Sequence, residues 1–190
     1  SLRAEGYKKE IISFEPVESA YQQLIKNSKN DSNWLVPEKC AIGAKNETLE
    51  INISKNSFSS SILPMLDLHK KKAPFSEYVS KEKIPVYKLD YIADELLKKN
   101  KNFFLKIDTQ GYEMEVFKGA IKILESPFCT GILCELSLVE LYSGCTLWLD
   151  VIDYLQKKGY IFWSIYPGFT DLKNGRLFQA DGLFIRNSDF

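Results

Sequence analysis

The sequence has little that would commit it to a metal, a nucleic acid or a membrane. It holds one histidine and four cysteines, and Cys40, Cys129, Cys134 and Cys145 show no C-x-x-C spacing. That set does not make a zinc-type site or a disulfide framework, and the apolar surroundings of Cys129 and Cys134 suit buried, reduced thiols. No metal is expected. Neither sign of charge dominates, since 25 Lys and Arg stand against 25 Asp and Glu. Without a net field there is nothing to steer a polyanion, so no nucleic-acid or membrane partner is expected, and Lys70-Lys71-Lys72 reads as a solvated face. No apolar run reaches bilayer-spanning length and no secretory leader is visible. With unpaired thiols, this predicts a cytoplasmic protein. There is no internal repeat and no low-complexity linker. The 190 residues suit one domain over 1–190, large enough to bury roughly 70% of its unfolded surface without a staple.

What is present is an alternation of strand and helix signals. Residues 11–14 form an apolar run ending at Glu15-Pro16, and a helix beginning at Pro16 sets Val17, Ala20, Tyr21, Leu24 and Ile25 on one face. A strand ends near Cys40-Ala41-Ile42, and residues 48–53 alternate as a half-exposed strand. Residues 56–83 are serine-rich at first and lack a period, which reads as a long excursion or lid. A strand over 84–89 leads to Asp90, expected to cap a helix bearing Ile92, Ala93, Leu96 and Leu97 and closed by Lys98-Lys99. Residues 103–107 form a strand, and a helix from Glu113 turns Val116, Phe117, Ala120, Ile121 and Leu124 inward. The strand over 131–134 ends at Glu135. Thr146 is expected to cap a helix carrying Trp148, Val151, Ile152 and Leu155, stopped at Gly159. Residues 160–166 and 177–186 then pair as a hairpin. The fold class expected is α/β: a doubly wound, mostly parallel sheet with a C-terminal antiparallel hairpin.

Polar residues gather where these strands end. Glu15, Asp108 and Glu135 each follow a strand, and parallel strands place their carboxyl ends on one rim, where open α/β sheets bind ligands. Gln110 lies beside Asp108, and the hairpin returns Gln179 and Asp181 to the same rim. Plainer roles stand next to this one. An acid after a strand can cap the next helix, which would account for Glu15 or Asp108 taken singly. Glu113 and Glu115 complement a helix dipole. Lys106 can pair with Asp108 on the same strand face. His69, in the excursion, reads as a solvated or locally bonded side chain ahead of a general base.

The segment "FFLKIDTQGYEMEVFKGA" (103–120) resembles the signature of the FkbM family of S-adenosylmethionine-dependent methyltransferases. The resemblance extends, in order, to "ISFEPVESAYQQLIKN", "CAIGAKNETLEI", "VYKLDYI", "GILCELSLVELY" and "GRLFQADGLFIR". It implies a Rossmann-like fold and methylation of a hydroxyl on a carbohydrate or natural product, so the partner is a small-molecule or glycan methyl acceptor. It also assigns roles. Glu15, with Pro16 beside it, would bind the ribose hydroxyls of S-adenosylmethionine, a task that suits two acceptor oxygens. Ala41 and Ile42 would flank the adenine, and Asp108 would lie near the methionyl end. Gln110, Glu113 and Glu135 would line the acceptor side, with Asp108 the first choice for base or orienting acceptor and His69 the second.

The same resemblance puts a first strand and its glycine-rich turn ahead of Ser1, and none of the ten glycines fills that role, so the resemblance implies an N-terminally truncated chain. The missing strand would lie between those ending at Glu15 and Asp108. An open slot there would strand two rows of backbone groups, so residues 11–14 and 104–107 are expected to pair directly or to accept another chain. Two rival readings stay open: a non-catalytic methyltransferase-like domain that has lost the cofactor pocket, and, third, a nicotinamide dehydrogenase.

Overall fold

The computed structural model describes residues 2–93 and 101–187; the expectations for Leu96, Leu97, Lys98 and Lys99 lie outside the described residues. The chain is α/β with mixed sheets. Strand β1 (Ile11–Ile12) pairs in parallel with β2 (Trp34–Leu35). Strand β3 (Ala41–Ile42) runs parallel to β5 (Tyr78–Tyr87), which pairs on its other side with antiparallel β4 (Glu47–Ser54). The largest sheet has the order β6 (Phe103–Ile107), β7 (Cys129–Ser137), β9 (Gln179–Arg186), β8 (Tyr160–Pro167). In it β6 and β7 are parallel, and the C-terminal hairpin is antiparallel as expected.

A single, mostly parallel doubly wound sheet is not what forms. Among the described residues, three strand pairings are parallel and three antiparallel. The cause is visible at β5, which begins at Tyr78, inside the stretch read as a lid. Its first six residues, Tyr78 to Lys83, are half-exposed or exposed, as suits an antiparallel ladder with one wet face. Nor do residues 11–14 pair with 104–107. Among the described residues β1 has its ladder with β2 and β6 its ladder with β7. Strand β1 stops after two residues, and Phe14 turns its ring onto the main core instead. Side-chain packing, not a backbone ladder, ties this stretch to that core.

The main core lies between the large sheet and helices α4 (Glu113–Lys118), α5 (Ile121–Glu125) and α6 (Trp148–Lys157). Phe117, Ile123, Leu124, Ile132, Leu136, Leu155 and Phe184 are fully buried there. The single helix expected after Glu113 is broken in two at Gly119. A Cβ at that position would sit 1.9 Å from the carbonyl oxygen of Gly43, so only glycine allows the approach. The break resets the helical phase, which is why Ile121, expected inward, is exposed. Asp90 caps a helix, but not its own. It lies within α3 (Leu89–Ile92), and its carboxylate accepts the N–H groups of Lys122 and Ile123, each at 3.0 Å, at the start of α5. Thr146 makes no cap, since Leu147 holds that position of α6 without a side-chain bond. Gly159 does end α6, with φ 83°.

Helix α1 (Glu18–Ser28) forms where its apolar stripe predicts, yet none of its described residues is buried. A second cluster, Val17, Ala41, Ile51, Ile53, Ile84 and Val86, lies below it, with Ala20 packed against the edge. The excursion is not a free lid. It contains α2 (Asp67–Lys72), bridges to the body through Asn52↔Ser61 and Met65↔Tyr142, and packs around a third cluster of Met65, Leu141, Tyr142, Cys145 and Phe178. Lys72, expected to be solvated, closes a 2.6 Å ion pair with the buried Asp171 of the β8–β9 loop. All four cysteines are buried and free. No helix among the described residues is long and apolar enough to cross a membrane.

Candidate active site

The β6–β7 ladder ends with Ile107 opposite Cys134, which leaves Asp108 and Glu135 as neighbours one step beyond it. Strand β7 does not stop there, because β9 goes on pairing with it: Glu135 stands opposite Asp181 and Ser137 opposite Gln179. The acid of one parallel strand is thus set beside the acid of the next, with an antiparallel strand returning an amide to the same place.

The chain leaves β6 through Gln110 at φ 53° and Gly111 at φ 93°, two successive left-handed residues. Such a turn is costly for a non-glycine residue and needs fastening. Glu113 fastens it. One carboxylate oxygen accepts the Thr109 N–H (3.0 Å), the Thr109 hydroxyl (3.1 Å) and the Gly111 N–H (3.2 Å). At 4% exposure, Glu113 lies beneath the rim and clamps the turn; it does not face outward to an acceptor.

Above it, Gln110 joins the two carboxyls. Its amide nitrogen donates to Asp108 Oδ1 at 3.1 Å and to Glu135 Oε2 at 3.0 Å. Its amide oxygen accepts the Tyr142 hydroxyl at 2.8 Å, and its backbone carbonyl accepts the Ser61 hydroxyl at 2.7 Å. Gln179 gives a second amide N–H to Glu135 Oε2 at 2.5 Å. Lys106 pairs with Asp108 Oδ2 at 2.9 Å, as its place on the strand face predicts. Burial, with Glu113, Asp108 and Asp181 close by, pushes Glu135 up to about 8 despite the opposing Gln110 bond. Burial raises Glu113 too, against the pull of its backbone bonds. Asp108 stays half-exposed.

The structure therefore brings together Asp108, Gln110, Glu135, Gln179 and Asp181 and sets Glu113 below them. Tyr142 and Ser61 escape a sequence reading. Tyr142 stands in an apolar stretch where nothing marks it as polar-handed, although a fully buried tyrosine hydroxyl needs a partner. Ser61 sits in a segment without a period. His69 is neither solvated nor at the rim. Its ring meets Tyr142 edge-on at 5.1 Å and Phe169 at 5.5 Å, and its Nδ1 has no partner among the described residues. Burial lowers its pKa to about 4.

Glu15 belongs to a different corner, an open cleft of about 380 Å³ whose walls include Ser19, Gln23, Leu24, Ser57 and Phe58. One oxygen accepts the Val17 N–H at 2.8 Å, the helix-start role that needs no ligand. The other makes no protein hydrogen bond among the described residues. Burial, then the nearby Glu82, raises this acid, so it bears a desolvation cost that one backbone bond does not offset. A carboxylate with spare acceptor capacity on a cleft fits a vicinal diol such as a ribose. Pro16, Ala41 and Ile42 do not line this cleft; Ala41 packs in the second cluster and Ile42 against the main core. The two corners are joined by one segment. Ser57 and Phe58 line the Glu15 cleft, the Ser59 carbonyl faces the Tyr142 hydroxyl at 3.3 Å, and Ser61 holds Gln110.

An α/β domain with an amide-bridged pair of acids at its strand ends and a separate carboxylate on a neighbouring cleft has the layout of a ligand-handling enzyme domain. The family model of the methyltransferase FkbM domain matches residues 1–162, which takes in both corners apart from the β9 residues. The chain belongs to the FkbM methyltransferase family. No curated protein and no solved structure shows a significant match to it.

Proposed function

We propose that this protein is an S-adenosylmethionine-dependent methyltransferase that methylates a hydroxyl oxygen of a carbohydrate or other small natural product. The observation that carries this reading is the half-buried Glu135, tied by two amides beside the half-exposed Asp108, with its pKa pushed up to about 8. When bound, S-adenosylmethionine supplies an electrophilic methyl group on a positively charged sulfur. What remains for the chain is to hold the accepting oxygen in line and to take its proton. Glu15 would hold the ribose through its spare oxygen. Asp108, on the open side, accepts a hydrogen bond from the hydroxyl and aims it. The hydroxyl's single proton passes first to the Asp108 oxygen it points at and then to ionised Glu135, whose raised proton affinity draws it at mildly alkaline pH. Four buried thiols support a cytoplasmic setting, and one domain over 1–190 suits the shared segment that links the two corners.

The test is transfer of labelled methyl groups to a panel of sugars and polyols. Asp108→Asn should lower the rate by about 100-fold or more, whereas Lys71→Ala, on the exposed face of α2, should leave it unchanged. Equal rates for the two variants, or no transfer to any hydroxyl acceptor, would overturn the reading.

A further inference from the structure

We propose that Tyr142 is a positioning residue: its hydroxyl fixes the Gln110 amide with nitrogen toward Asp108 and Glu135, so that one amide serves both carboxyls as donor. The inference rests on the function proposed above for those two acids, but its evidence is geometric.

A primary amide can be turned by half a rotation at little intrinsic cost, and only its partners decide which end faces which way. On one side of Gln110 stand Asp108 Oδ1 at 3.1 Å and Glu135 Oε2 at 3.0 Å. On the other stands the Tyr142 oxygen at 2.8 Å. Tyr142 can donate; an ionised Asp108 cannot. The hydroxyl carries one proton and faces two acceptors, Gln110 Oε1 and, farther off at 3.3 Å, the Ser59 carbonyl, so the shorter contact takes it. Tyr142 is itself fully buried in the third cluster with its ring edge-on to His69, so its hydroxyl has a fixed place to point. The Gln110 backbone is equally held, by Ser61. Both ends of the side chain being fixed, the amide nitrogen has one place to point.

The consequence falls on Glu135. The carboxyls around it are Glu113 from the start of α4, Asp108 from the end of β6 and Asp181 from β9, and each disfavours its ionisation. The cation nearest this group along β6, Lys106, is engaged with Asp108. The two amides, from Gln110 and Gln179, are the donors that favour the ionised form. If Tyr142 lost its hydroxyl, the Gln110 amide oxygen would lose its donor, and the amide would be free to swing off Glu135 while its N–H stays with the ionised Asp108. Glu135 would lose a donor and hold its proton to still higher pH.

The test is a carboxyl titration of the full 190-residue chain, uniformly labelled with carbon-13 at glutamate side-chain carboxyls. Wild-type Glu135 should titrate with a midpoint near 8. Tyr142→Phe should raise that midpoint by about one pH unit, the scale of losing one hydrogen bond to a charged group, and should speed hydrogen exchange at the Gln110 side-chain amide. A midpoint left where it was in a folded Tyr142→Phe protein overturns the proposal. Should that variant not fold, Gln110→Asn serves in its place. Asparagine tolerates the left-handed backbone, yet its shorter amide cannot span both carboxyls, so its Glu135 midpoint should also rise, and an unchanged midpoint there overturns the chain of contacts. The titration uses neither cofactor nor acceptor. A raised midpoint in a protein without methyl transfer therefore supports the role of Tyr142 while counting against the function it would serve.

Discussion

The two acid-bearing corners of this molecule are built to different standards. Glu135 stands on a nine-residue strand paired on both sides, over a core whose members are almost wholly buried, and two side-chain amides meet one of its oxygens. Glu15 follows a two-residue strand, precedes a helix in which no residue is fully buried, and has a single backbone bond. Burial raises both acids, but the neighbouring carboxyls that add to it differ: three at Glu135, and at Glu15 one, which ranks below the opposing Val17 backbone bond. In the function proposed, the acid that would hold a proton draws its partners from the chain itself, and the acid that would hold a diol leaves one oxygen for the ligand.

The largest effect that would sharpen this contrast is in stability. Phe117→Ala in the main core should cost about 3–5 kcal/mol, whereas Leu24→Ala on α1 should cost under about 1 kcal/mol. Denaturant unfolding of the two variants measures the difference, and equal costs would erase the contrast. Next is pH dependence. The folded protein keeps the Glu135 proton to about pH 8, while the unfolded chain releases it near 4.5. Between those values the folded state binds more protons, so the contribution of this group is full below about 4.5 and is lost as pH rises toward 8. Glu135→Gln should remove a decline on the order of a few kcal/mol across that window, leaving the same-signed contributions of Glu113 and Glu15. Thermal unfolding at stepped pH checks it, and an unaltered decline would show that Glu135 is not the group responsible. The smallest effect is at Glu15. Glu15→Gln keeps an oxygen for the Val17 N–H and should change stability by less than about 1 kcal/mol, a value readable in the same unfolding experiment.

The contrast also marks what the residues alone disclose. The turn after β6 is legible, because an acid, an amide and a glycine between an apolar run and a helical period have few other uses, and Asp108, Gln110 and Glu135 do meet. Gln179 is legible for the same reason, since a hairpin must return to the rim it left. Burial depth is not. The stripe on α1 announces a helix but cannot say that Ala20 and Leu24 will be only half-covered, and periodicity reads Ile121 inward because it does not foresee the break at Gly119, where the backbone packs on Gly43. The roles of Glu113, Tyr142 and Ser61 depend on contacts of long reach or of strained backbone, which no spacing encodes. Of the two outcomes expected for 11–14 and 104–107, direct pairing does not form among the described residues, because counting backbone groups overlooks Phe14, whose ring the core takes up instead.

The most direct test of the account is a nuclear magnetic resonance titration of the 190-residue protein with S-adenosylmethionine, carried into the millimolar range. The account predicts that the amide signals of Val17, Ser57 and Phe58 shift, and that Glu15→Ala weakens the affinity by about 10–100-fold, the equivalent of roughly 1.5–3 kcal/mol for hydrogen bonds to a charged group. Shifts that bypass the Glu15 cleft, or an affinity that Glu15→Ala leaves unchanged, would contradict it.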